Sequence, residues 1–217
     1  MSQEEWDLVT NQITDDANLL STFTTHSQIY GWAKDHGFAT QKLFPIVKVE
    51  LLDKLGIDYV KMREASWRNI YEKQVEALEN LTAEAADAPR VELWAAANED
   101  GHFAIASADD IVWYGPFHED DFDFEGTEES AYHSVGKKVV WLATKIRLSQ
   151  ALPNIRLTLH MDASPGDIAR DLLRGSVDLN LMLDGSGTAA DFLDMPGFKS
   201  WRDNALKNLI TTVTVTE

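Results

Sequence analysis

Glu129 and His133 stand four residues apart in the text GTEESAYHSV, and His160 and Asp162 stand two apart in LTLHMDAS. A spacing of four stacks side chains on one face of a helix, and a spacing of two returns them to one face of a strand. Each pair therefore sets an imidazole beside a carboxylate, the combination used for general acid–base chemistry and for holding a metal ion. The same residues also have a plainer reading. A carboxylate in the first turn of a helix favours the helix dipole, and histidines at such positions serve as ordinary surface or core side chains.

Two loops carry further chemistry. FHEDDFDFEGTEE sets seven carboxylates (Glu119, Asp120, Asp121, Asp123, Glu125, Glu128 and Glu129) among three phenylalanines. Acids interleaved with aromatic residues can dock as a linear patch onto a basic, apolar groove of a partner. The loop lacks the spacing of a helix-loop-helix calcium site, and its simplest state is solvated, with Phe122 and Phe124 tucked against the body. The turn LDGSGT, Leu183 to Thr188, joins a strand to a helix as phosphate-cradling turns do. It has neither the lysine of a Walker loop nor a full dinucleotide fingerprint, and Ser186 is not in a G-x-S-x-G elbow. Lys137, Lys138, Lys145 and Arg147 form the one notable basic group, on which a phosphate backbone can lie. Residues 90–217 nevertheless hold 21 acidic and 11 basic residues, so strong nonspecific nucleic-acid binding is not expected.

These side chains depend on the elements that carry them. Residues 1–89 read as helical: Trp6, Val9, Ile13, Ala17 and Leu20 recur at helical spacing, and shorter helices follow over 28–34 and 40–55. Asp58 offers an N-cap to a longer helix with an apolar stripe of Val60, Trp67, Ile70, Tyr71, Leu78 and Leu81. That stripe fades in the run ending at Pro89, where a boundary is placed. Beyond it the period falls to two, and 91–97, 102–107 and 111–114 read as strands of an antiparallel meander. A helix over 128–150, a strand over 155–161, a helix over 167–174 and a strand over 177–183 follow. Short helices over 188–193 and 199–209 come next, and the β-branched tail, 210–216, suits an edge strand. Trp67, Trp94, Trp113 and Trp141 fall at core-compatible positions.

Strand-strand-strand-helix-strand-helix-strand-helix, over about 90–194, resembles the ribonuclease H-like fold. The resemblance implies an α+β protein in two parts, a helical N-terminal region (1–89) and a mixed ribonuclease H-like sheet flanked by helices (90–217). It also implies four carboxylates holding two Mg²⁺ or Mn²⁺ ions, about 3.5–4 Å apart, around a phosphodiester. By that resemblance Glu129, with Glu128 as its rival, is the helix glutamate, Asp162 the strand-end aspartate, and Asp191 in GSGTAADFL the aspartate opening the last helix. His133 and His160 would converge on them as acid–base groups. The first strand, VELWAAAN, departs from the pattern: the aspartate position falls at about Ala96. No histidine precedes the last helix between Leu183 and Asp191.

The chain has 217 residues, no cysteine and a net charge of −17, which excludes disulfides and thiolate metal sites and repels anionic surfaces. No apolar run reaches the length of a bilayer-spanning helix, and the acidic start MSQEEWD is unlike a signal peptide, so a cytoplasmic protein without a membrane partner is expected. Two functions remain in view. One is a divergent metal-dependent phosphodiester hydrolase with Glu129, Asp162 and Asp191 as ligands and His133 or His160 assisting. The other is a catalytically silent acidic module that binds a basic protein or regulates one, and a nucleic acid or a basic protein is the partner in prospect.

Overall fold

The computed structural model describes residues 2–118, 121 and 123–211. The chain divides into two compact units, 1–73 and 74–217.

The first unit contains α1 (Gln3–Asp15), α2 (Ala17–Leu20), α3 (His26–Asp35), α4 (Phe44–Leu55) and the opening of α5 (Tyr59–Glu84). Its helices start and stop where local chemistry dictates. Ser2 with Glu5, and Thr25 with Gln28, close reciprocal capping boxes on α1 and α3. Pro45 is accommodated in the first turn of α4, and Gly56 ends that helix in the left-handed conformation, φ 68°. Val9, Ile13, Leu20, Ile29, Ile46 and Leu51 make a dry core. Buried Glu50 is satisfied there by the Trp6 indole at 2.7 Å and the Thr10 hydroxyl at 2.9 Å. The apolar stripe of α5 is not core at its centre: Trp67, Ile70 and Tyr71 are 63, 55 and 67% exposed. Periodicity marks a face, and among the described residues that face stays largely exposed.

The second unit is built on a mixed six-stranded sheet in an α+β arrangement. Its strands are β1 (Arg90–Ala97), β2 (His102–Ala106), β3 (Ile111–Pro116), β4 (Ile155–His160), β5 (Val177–Met182) and β6 (Ile210–Thr211). They run in the order β3-β2-β1-β4-β5. The first three are antiparallel neighbours, β4 joins β1 in parallel, and β5 joins β4 in parallel. Two helices make the crossovers, α6 (Glu128–Ser149) from β3 to β4 and α7 (Ala169–Gly175) from β4 to β5. β6 pairs with Arg90 and Val91, at the start of β1.

Alternation decides which face each residue takes. Val91, Leu93 and Ala95 of β1, and Ile155, Leu157 and Leu159 of β4, share a buried cluster with Val135, Val139, Leu142 and Ile146 of α6. Each fully buried aliphatic side chain contributes about 1.5–3 kcal/mol relative to exposure. The opposite face of β1 presents Glu92, Trp94 and Ala96. There Ala96, Ala104, Ala106 and Ile111 pack with Ala189 of a 3₁₀ segment, Gly187–Phe192.

The end of the chain differs from its sequence reading. In place of helices over 188–193 and 199–209 there are 3₁₀ turns, Gly187–Phe192, Trp201–Asp203 and Leu206–Leu209. The Asn204 amide donates to Val112 O at 2.7 Å and to Trp201 O at 3.1 Å, which ties this stretch to β3. Residues 212–216 of the expected edge strand lie outside the described residues.

Candidate functional site at the ends of β1 and β4

Register brings the two central strands to a common end. Trp94 of β1 is the partner of His160 of β4, and two residues further along each strand stand Ala96 and Asp162. The Trp94 and His160 rings stack, centroids 4.6 Å apart and planes 9° off parallel. His160 Nδ1 lies 2.8 Å from Asp184 Oδ1 and Nε2 3.0 Å from Glu92 Oε1. Burial pulls its pKa down, but the bonds to Asp184 and Glu92 outweigh this and leave it above the ordinary histidine value. With a carboxylate acceptor at each nitrogen, the ring is an imidazolium clamp donating both protons, tying β1 to the turn after β5.

Asp162, just past β4, has a different set of partners. Its carboxylate accepts from the Ser186 hydroxyl, which is 3% exposed, and from Tyr132 Oη at 3.4 Å. Burial pushes the Tyr132 phenol up to about 12, and the charge of Asp162, its hydrogen bond and the charge of Glu128 push the same way. The LDGSGT turn is therefore committed to the protein itself: Gly185 N bonds Met161 O at 3.3 Å, Ser186 bonds Asp162 and Asp184 bonds His160. A Cβ on Gly187 (φ 53°) would stand 2.8 Å from the Trp94 ring, so glycine there is what lets the turn reach β1.

Glu129 and His133 do share a face, as their spacing requires. They line a groove of about 580 Å³ with Asp123, Glu125, Ser130 and Asp167. His133 Nδ1 is 2.7 Å from Pro165 O, and its Nε2 is 4.0 Å from Asp123. Asp191 is exposed on the 3₁₀ segment and has no hydrogen bond or ion pair among the described residues. The three expected ligands thus have separate surroundings, and among the described residues no three His, Asp or Glu side chains gather in a way that holds a metal ion. The carboxylate that the ribonuclease H-like pattern would share between two cations falls at about position 96, and here Ala96 is 1% exposed inside an apolar cluster. The donor set does not fit the pair of metals.

The acidic loop is partly pinned. Asp121 pairs with Lys138 at 2.8 Å and Asp123 with Lys137 at 2.7 Å. Phe124 stacks on Phe117 at 4.8 Å, and Phe117 on Phe103 at 5.2 Å. Glu119, Asp120 and Phe122 lie outside the described residues. Sequence reasoning did not single out Glu92, Trp94 or Asp184 as partners of His160, or Tyr132 as a partner of Asp162. The available signal was alternation, which places Glu92 and Trp94 on one face of β1 and His160 on the matching face of β4.

Among the described residues no helix is long and apolar enough to cross a membrane. Compared with known proteins, the chain matches no family model, no curated protein and no solved structure.

Proposed function

We propose that the sheet unit is a ribonuclease H-like domain that is catalytically silent, and that the protein works as an acidic module docking a basic segment of a partner protein. The fold half of this reading is supported by the antiparallel meander followed by two parallel strands joined through helices. The functional half is carried by one observation: beside Asp162, where a two-metal site needs its shared carboxylate, there is a buried alanine in an apolar cluster. What remains available is charge. Glu125, Glu129 and Asp167 face the groove beside His133 and the Asp123 that Lys137 already answers, in a chain of net charge −17. A lysine- or arginine-rich peptide is the complement to such a surface, with an on-rate and affinity that fall as salt screens them.

Calorimetry separates this from the hydrolase reading. Mn²⁺ titrated to millimolar concentration gives no saturable heat, whereas saturable binding lost in Asp162→Asn would restore the metal-dependent enzyme. An oligolysine peptide binds at low salt and weakens at least about tenfold by about 0.3 M salt. Glu129→Gln with Asp167→Asn weakens it further. A peptide affinity indifferent to both changes removes the docking surface.

A further inference from the structure

On the helical side of the sheet, two adjoining cavities of about 320 and 390 Å³ share Lys137, Trp141 and Asp171 and so make one cleft along α6 and α7. The first adds Trp113, Ser134 and Lys138, together with Asp121 and Asp123, the carboxylates that pair with Lys138 and Lys137. The second adds Thr144, Lys145 and Arg174.

Three features distinguish this cleft from the acidic surface around it. The first is free positive charge. Lys137 and Lys138 are committed to Asp123 and Asp121, but among the described residues Lys145 has no ion pair, lying over the Trp141 ring at 4.9 Å, and Arg174 has no hydrogen bond or ion pair. The cleft's three aspartates, Asp121, Asp123 and Asp171, lie within ion-pair distance of Lys138 and Lys137, which leaves Lys145 and Arg174 as the unmatched cations on its wall. The second is aromatic surface: Trp113 and Trp141 lie with centroids 5.8 Å apart, and Trp141 is 40% exposed. The third is an unmet polar group. Ser134 is 4% exposed, it lines the cleft, and among the described residues its hydroxyl has no hydrogen-bond partner. Buried hydroxyls are nearly always bonded, so an orphan on a cavity wall marks where a ligand atom would complete the set.

We propose that this cleft binds a nucleoside monophosphate. The heteroaromatic ring lies against Trp141 and the phosphate bridges Lys145 and Arg174. Ser134 bonds the polar edge of the ring. A single phosphate suits the two free cations, and further phosphates would meet Asp171. Each cavity is of the size that takes a small ligand, and an aromatic wall with a few polar groups is the usual make-up of such a site. Stacking of a base on an exposed tryptophan is tolerant of base identity, so the phosphate and the ring, rather than one particular base, define the ligand.

The probe is AMP titrated into the full chain, followed by tryptophan fluorescence and by the indole N–H signals in NMR spectra. Saturable binding with Kd between about 10 μM and 1 mM is expected. Adenosine and inorganic phosphate, each offering half of the contacts, bind at least about tenfold more weakly. Lys145→Ala with Arg174→Ala lowers AMP affinity about tenfold or more and leaves the weak adenosine binding unchanged. Trp141→Leu abolishes both, and the melting curve of each variant reports that it is folded. Absence of saturation at about 10 mM AMP overturns the proposal. So does AMP binding that the Lys145/Arg174 double variant leaves intact. Because oligolysine docking is measured separately on the acidic groove, the loss of either reading leaves the other standing.

Discussion

His160 shows what a single residue of this chain does once its neighbours are known. Its ring is stacked on Trp94 and held at both nitrogens by carboxylates that come from positions 92 and 184. A general base needs a free lone pair, and this ring has none to offer while both bonds stand. Its role is to carry a positive charge between two negative ones and so to close the turn after β5 onto β1. The folded-state pKa is raised, so the clamp's contribution is fully present below the unfolded histidine value and is lost as pH rises through the folded one. An NMR titration of the His160 ring therefore has its midpoint above about 6.5. The loss of melting temperature in His160→Gln is greatest below the unfolded histidine value of about 6.5 and shrinks as pH rises through the higher folded-state value. A loss that is equal across that range would make the residue a packing element only. The spacing of His160 and Asp162 reads as one strand face, but β4 ends at His160 and the partners that define the chemistry come from far along the chain, through strand pairing that spacing alone does not reveal.

At the scale of elements, close approach of α6 to its surroundings rests on glycine. A Cβ on Gly136 would stand 2.4 Å from Pro165 Cβ, inside the distance at which carbon atoms can coexist, so the loop after β4 packs directly on the α6 backbone. Gly31, within α3, is the contrasting case, with nothing within 4 Å of an added Cβ. Alanine is the better helix former by roughly 1 kcal/mol at both sites, so any difference between them is steric. Gly136→Ala destabilises by about 1–3 kcal/mol as the loop is pushed away. Gly31→Ala stabilises by about 0.4–1 kcal/mol, both read from urea denaturation midpoints at unchanged slope. Elements of this kind were readable in advance where one period dominates: α6 was expected over 128–150 and runs Glu128–Ser149, and β1 was expected over 91–97 and runs Arg90–Ala97. The stretch after Gly185 was not, because its conformation is set by Ser186, Asn204 and Gly187 bonding or abutting distant strands, which leaves no repeating pattern in the text. Trp67 marks the other limit. Its helical spacing is sound, yet it is exposed, since spacing assigns a face and only a neighbouring element can bury it.

For the whole molecule the dominant quantity is charge. A net −17 over 217 residues was legible from composition, and so was its first consequence, repulsion of anionic surfaces. What composition does not show is how unevenly the charge is answered. Lys137, Lys138 and Lys199 are each bonded to an aspartate, Arg156 is bonded to the nearly buried Asp178, and the groove at Glu129 keeps Glu125, Glu129 and Asp167 beside the Asp123 that Lys137 answers. The few ion pairs are individually worth little at the surface, about 0–1 kcal/mol, and salt weakens them. The unpaired acids repel one another in the compact state and less so in the expanded one, and salt relieves that repulsion. The two effects of salt have opposite signs, and the excess of 36 acidic over 19 basic residues decides between them. Added NaCl therefore raises the melting temperature between about 10 mM and 0.3 M, over which the Debye length falls from about 30 Å to below 8 Å. Calorimetric or dichroic melts at pH 7 measure the slope. A melting temperature that falls across this range would mean that the paired lysines and arginines outweigh the acidic surplus.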